Sequence, residues 1–147
     1  MLLCGLINKL KNEGVSAYFC QATDVCINST TAVMRGLIYL LIDSRPSLLS
    51  HLQKRYNRAG RQLFENVNAW VAVRKIVLDI LNNPTLLTPY LVVNTLDKYQ
   101  TGRSKLLDLI TFRSAGSQAK WIVSSRNWPE VGERFAQADQ KVPLSLE

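Results

Sequence analysis

Glycine and proline are scarce, at seven and five of 147 residues. That excludes a collagen-like or low-complexity chain, and a 47% share of hydrophobic residues excludes a disordered one. Cysteine is scarcer still. Cys4, Cys20 and Cys26 cannot all pair with one another, so no disulfide framework is indicated and a reducing, intracellular compartment is expected. Histidine occurs once. Cys20-x5-Cys26 with His51 fits no common zinc spacing and leaves a fourth ligand to be found, so buried structural cysteines are expected instead. His51 has no Ser, Cys or Asp partner implied by the sequence and reads as a surface histidine. No apolar run approaches the ~20 residues of a membrane span. Met1–Ile7 is cut short by Asn8, Lys9 and Lys11, and Gly36–Ile42 is no longer. The opening segment lacks the basic region of a secretory signal, and the sequon Asn28-Ser29-Thr30 reads as an accident of composition. A soluble, cytoplasmic protein with no membrane partner is expected.

What is present suits a single domain over residues 1–147 with a sizeable core. Eighteen Lys and Arg against eleven Asp and Glu give a net charge of +7, spread over the chain with no basic tail. Nucleic-acid binding is thus permitted but not urged. Lys54 and Arg58 share one helix face, with Arg55, Tyr56 and Arg61 nearby; such a cluster can track phosphates, but a solvated face carries more weight. Trp70, Trp121 and Trp128 read as core or core-edge residues.

Helical spacing of Leu2, Leu3, Leu6, Ile7 and Leu10 opens the chain, with Asn12-Glu13-Gly14 as a stop. Val15–Cys20 is short, β-branched and aromatic, and reads as a strand. Asn28, Ser29 or Thr30 can cap a second helix through Val33, Leu37, Leu40 and Leu41 to Arg45. A third helix is expected over Pro46–Ala59, ended by Gly60, and a fourth over Ala69–Leu81, stopped by Asn82-Asn83-Pro84. Tyr90–Val93 and Trp121–Val123 are continuous apolar runs, as expected of strands buried on both faces. A fifth helix follows Gly102, and a short last one lies near Glu130–Ala138. Strands alternating with helices predict an α/β domain with a small parallel sheet flanked by helices.

Several blocks carry a further signal. They are Met1-Leu2-Leu3-Cys4-Gly5-Leu6-Ile7, Tyr18-Phe19-Cys20-Gln21-Ala22-Thr23-Asp24, Ile27-Asn28-Ser29 with Ala32-Val33, and Arg35-Gly36-Leu37-Ile38-Tyr39-Leu40-Leu41. Later come Leu91-Val92-Val93-Asn94-Thr95-Leu96-Asp97, Lys120-Trp121-Ile122-Val123-Ser124-Ser125-Arg126-Asn127-Trp128-Pro129 and Leu144-Ser145-Leu146-Glu147. In order and spacing they resemble the NACHT domain of fungal vegetative-incompatibility proteins, and the overlapping nephrocystin-like N-terminal domain, over essentially the whole chain. The resemblance implies a P-loop NTPase-like parallel sheet of the STAND type. It also implies a signalling switch in which exchange of ATP or GTP, held with Mg²⁺, controls oligomerisation.

The family's G-x-x-x-x-G-K-[ST] loop cradles phosphates with backbone N–H groups, its Lys and its hydroxyl. No such run occurs in the 147 residues. The expectation is a NACHT domain truncated just after the P-loop, lacking the first strand and Walker A loop. The family's sheet order sets the three strands side by side, the missing one next to Trp121–Val123 and the Leu144–Leu146 tail on its far side. The Walker B pattern departs as well. Asn94 stands where an Asp supports Mg²⁺, and Lys98 replaces an acidic residue. Asp97 matches, either as a catalytic remnant or, the favoured reading, as a solvated carboxylate beside Lys98 or Arg126. Arg126 matches the family's phosphate-sensing arginine, against a reading as an exposed loop residue. The expected module does not hydrolyse nucleotide. Its alternatives are an interaction or decoy module docking on intact NACHT relatives or its own copies, and a basic nucleic-acid binder using Lys54–Arg61.

Overall fold

Three short strands form one parallel sheet in the order β1-β2-β3: β1 Ala17–Gln21, β2 Tyr90–Asn94 and β3 Lys120–Val123. The computed structural model describes residues 2–12, 17–21, 29–65, 68–94, 96, 99, 101–111, 118–126 and 129–136, with only the backbone described at 2 and 17–21. Phe19 pairs with Val92, which pairs on its other side with Ile122. Parallel neighbours cannot be joined by a tight turn, so each connection must cross over, and each does so through helix. The three strands therefore lie side by side, as expected, in a chain that is mostly helical.

The first helix, α1, spans Leu2–Asn12, buries Ile7 and Leu10, and carries Lys9 and Lys11 in its last turn, where the helix dipole favours cations. The second, α2, covers Thr30–Ser44. Of its three candidate caps, Ser29 does the work, its side chain accepting the Ala32 N–H at 3.2 Å. Val33, Met34, Leu37, Ile38 and Leu41 form the buried stripe of α2, each side chain contributing roughly 1.5–3 kcal/mol of burial.

The helix expected over Pro46–Ala59 is divided. Pro46–Leu48 forms a 3-10 turn that buries Leu48, and α3 runs over Leu49–Ala59. Gly60 ends α3 at φ +57, a conformation that suits glycine, with its N–H on Tyr56 O at 2.7 Å. A one-turn helix that the sequence did not suggest, α4 (Gln62–Glu65), then tucks in Leu63. The next helix, α5, occupies Ala69–Leu81 as predicted, burying Val73, Ile76, Val77, Ile80 and Leu81. The remaining helices are α6 (Arg103–Thr111) and α7 (Pro129–Ala136).

One apolar cluster joins α2, α5 and α6 to Leu91, Val93, Leu96 and Tyr99. Side chains alternate along a strand, so Val92 points the other way; it is fully buried too, outside that cluster. The reading of β2 as a strand covered on both faces holds. The same reading of β3 needs correction: Trp121, Ile122 and Val123 are only half-buried and Lys120 is exposed. The reason is position, since among the described residues β3 has β2 as its one strand partner. Expectations for Asn28, Cys26, Asp97, Lys98, Trp128 and Leu144–Leu146 fall outside the described residues, as does the side chain of Cys20. Cys4 is exposed. No helix among the described residues is long and apolar enough to cross a membrane.

Candidate functional site

In an open parallel sheet the carboxyl ends of the strands face a common edge, and ligands of such sheets bind there. Here β2 reaches that edge at Asn94 and β3 at Val123. Ser124 stitches the two exits together. Its N–H donates to Val93 O at 3.0 Å and its carbonyl accepts the Leu96 N–H at 2.9 Å. Its hydroxyl donates to Asn94 Oδ1. Leu96 and Tyr99 are fully buried beyond Asn94, with the Tyr99 N–H on Leu96 O at 3.3 Å. Asp97 and Lys98 lie between those two in sequence and outside the described residues.

Of the expected site residues, then, the structure brings Asn94 and the segment leading to Arg126 to one edge. Asn94 is half-buried, whereas Arg126 is exposed two residues past Ser124. Ser124 itself carried no separate role in the sequence reading. Its one signal was the Ser-Ser-Arg run directly after a buried strand; the bond to Asn94 spans 30 residues and has no local signature.

The donor set at this edge bears on Mg²⁺. Asn94 offers a neutral amide oxygen that already accepts from Ser124, and Ser124 offers a hydroxyl. A hard cation favours carboxylate oxygens, so these two residues do not fit a magnesium–nucleotide complex on their own. Among the described residues no three of His, Cys, Asp and Glu converge on a metal position.

A second tie joins the start of α2 to the residues just before α6. Thr30, in the first turn of α2, is buried, and its hydroxyl donates to Thr101 O at 2.9 Å. Gly102 follows at φ +79.

The other candidates are resolved more simply. His51 is half-buried and not a plain surface residue: its Nε2 lies 2.9 Å from Asn83 Nδ2, so α3 is fastened to the end of α5. In the basic cluster Arg55 pairs with Asp79 at 2.8 Å, a partly exposed pair of small energetic weight. Lys54, Arg58 and Arg61 are exposed, in keeping with a solvated face. Trp70 and Trp121 pack against the core, at its edge.

Comparison with known proteins gives this geometry its family. No solved structure matches the chain significantly. The vegetative incompatibility protein HET-E-1 of Podospora anserina is 48% identical over 152 aligned positions, which cover 100% of this chain and 11% of that protein. The chain thus spans about a tenth of its relative's length. A sequence model of the family described as nephrocystin 3, N-terminal, matches residues 1–126. With most of its length matched, the chain belongs to the nephrocystin 3, N-terminal family.

Proposed function

We propose that the chain is part of a NACHT-type signalling switch of the P-loop NTPase class, acting in the cytoplasm of a vegetative-incompatibility system. In this reading it supplies the Walker B strand (β2), the sensor strand (β3) and the helices around them. The observation that carries it is the pairing of β2 with β3 in parallel register, with Asn94 and the Ser124–Arg126 segment leaving at one edge. That is the edge at which open α/β sheets bind their ligands. The relative's name supports the incompatibility setting.

The nucleotide is ATP or GTP with Mg²⁺, and the 147 residues by themselves hold it weakly. They contain no G-x-x-x-x-G-K-[ST] run, and the amide of Asn94 stands where a carboxylate is needed. Arg126 reads the terminal phosphate and Asp97 is the acidic remnant. Partners are intact NACHT relatives or further copies of this chain, a reading favoured by the half-covered β3.

Phosphate release from four proteins tests this: the chain, the chain with Asn94→Asp and Lys98→Glu, the chain fused behind a P-loop segment, and the fusion with both substitutions. Phosphoryl transfer needs the loop Lys and the metal acting together, so only the last should turn over, and Arg126→Ala should then slow it. Equal turnover by the unsubstituted fusion would show that the catalytic carboxylates lie elsewhere.

A further inference from the structure

Thr30 is the buried polar residue of the core among the described residues, at 2% exposure. It opens α2, yet two of its bonds leave that helix. Its backbone N–H donates to Thr101 O at 3.2 Å and its hydroxyl to the same oxygen at 2.9 Å. Ser29, just before it, forms an isolated parallel bridge with Thr101. Gly102 approaches so closely that a Cβ there would meet Thr30 Oγ1 at 2.8 Å and Thr30 Cβ at 3.2 Å. The carbonyl of Gly102 in turn accepts the Leu106 N–H at 3.1 Å in the first turn of α6. The start of α2 and the lead-in to α6, 71 residues apart at Thr30 and Thr101, therefore meet at one buried hydroxyl.

Capping alone does not call for this arrangement. Ser29 already caps α2 through the Ala32 N–H. A hydroxyl buried without a partner would be costly, and a valine of the same shape would avoid that cost. The bond to Thr101 is what the threonine adds. Gly102, for its part, combines a left-handed backbone with a gap that no Cβ fits.

We propose that Thr30, Thr101 and Gly102 form a clasp that makes the first turns of α2 and α6 open and close as one unit, with Thr30 as its positioning residue. The helix α2 follows β1 and α6 follows β2, so the clasp joins the segments leaving two adjacent strands. A displacement of the connection after β2 is passed to α2 instead of being absorbed between the helices. What the clasp transmits in a nucleotide switch rests on the function proposed above; the coupling itself does not.

Native-state hydrogen exchange on the chain, Thr30→Val and Thr30→Ser tests it. The valine keeps the shape and removes the O–H. Exchange at the Val33 amide in α2 and the Leu106 amide in α6 should then accelerate together, on the order of tenfold, the size expected for one lost buried hydrogen bond. The serine keeps the hydroxyl and should restore slow exchange in both turns. No acceleration, acceleration confined to one helix, or a serine variant as fast as the valine variant overturns the proposal. Thermal melts give a second arm: Gly102→Ala should lower the midpoint, and Thr30→Ala should relieve part of that loss by removing the nearest atom. Additive effects of the two substitutions overturn it. Nucleotide enters neither measurement, so the clasp and the nucleotide reading fail separately.

Discussion

β2 and β3 lie side by side in parallel register and differ in cover. Val93 and Val123 make the contrast cleanest. They are the same residue at paired positions and both touch the main cluster, yet Val93 has no exposed surface and Val123 is half-buried. The sheet treats Val92 and Ile122, the pair on the opposite face, in the same way. An apolar run states what a strand needs; neighbours on each edge decide whether it gets it. β2 is hydrogen-bonded on both edges, and β3, among the described residues, on one. The energetic centre of the sheet is therefore β2, while β3 carries the segment that leads to Arg126.

The comparison breaks most easily at the opposite-face pair. Val92→Asp places an unpaired carboxylate where no surface is exposed, and should leave the chain unfolded by circular dichroism at 25 °C, since the penalty of several kcal/mol rivals a typical domain's stability. Ile122→Asp should remain folded. If both unfold, the two strands are not distinguished by cover. A milder version uses the valine pair. In urea melts Val93→Ala should cost roughly 2.5 kcal/mol, from two lost methyl groups and the cavity they leave, and Val123→Ala roughly 1 kcal/mol. Equal costs would place β3 in the core after all.

Ser124→Ala comes next, at about 1 kcal/mol for the hydrogen bond to Asn94, and it should lose most of that effect in an Asn94→Ala background. Full additivity would mean that the two exits are not stitched by that bond. The smallest effect belongs to Lys120, which opens β3 with its ammonium 5.3 Å from the centre of the Tyr90 ring and 3.3 Å from its hydroxyl. The contact is exposed, so Lys120→Ala should move the thermal midpoint by less than about 2 °C.

How legible these features were depends on their range in sequence. The helix α5 ends where Asn82-Asn83-Pro84 says it must, and Ser29 caps α2, because caps and breakers act within a few residues. Strand runs were legible for the same reason. The division at Pro46–Leu48 was not: a proline suits the start of an α-helix and a 3-10 turn alike. The half-cover of β3 is not legible in its apolar run, which reports composition and says nothing of neighbours; the family resemblance, which sets the missing strand beside Trp121–Val123, does point to an uncovered edge there. At the candidate site, the family resemblance alone singles out Asn94 and Arg126, whereas the bonds Ser124–Asn94 and Thr30–Thr101 join residues 30 and 71 apart and have no local signature. His51 was misjudged on similar grounds, since its partner Asn83 belongs to the end of another helix.

In the proposed function this chain supplies the Walker B and sensor side of a nucleotide switch, and the 147 residues by themselves hold the phosphates weakly. Isothermal titration tests it most directly, with Mg·ATP and Mg·GTP added first to the chain and then to the chain fused behind a strand and G-x-x-x-x-G-K-[ST] loop. The account predicts no micromolar isotherm, about −8 kcal/mol, from the chain alone and a clear one from the fusion. Micromolar binding by the chain alone, or none by the fusion, would contradict it.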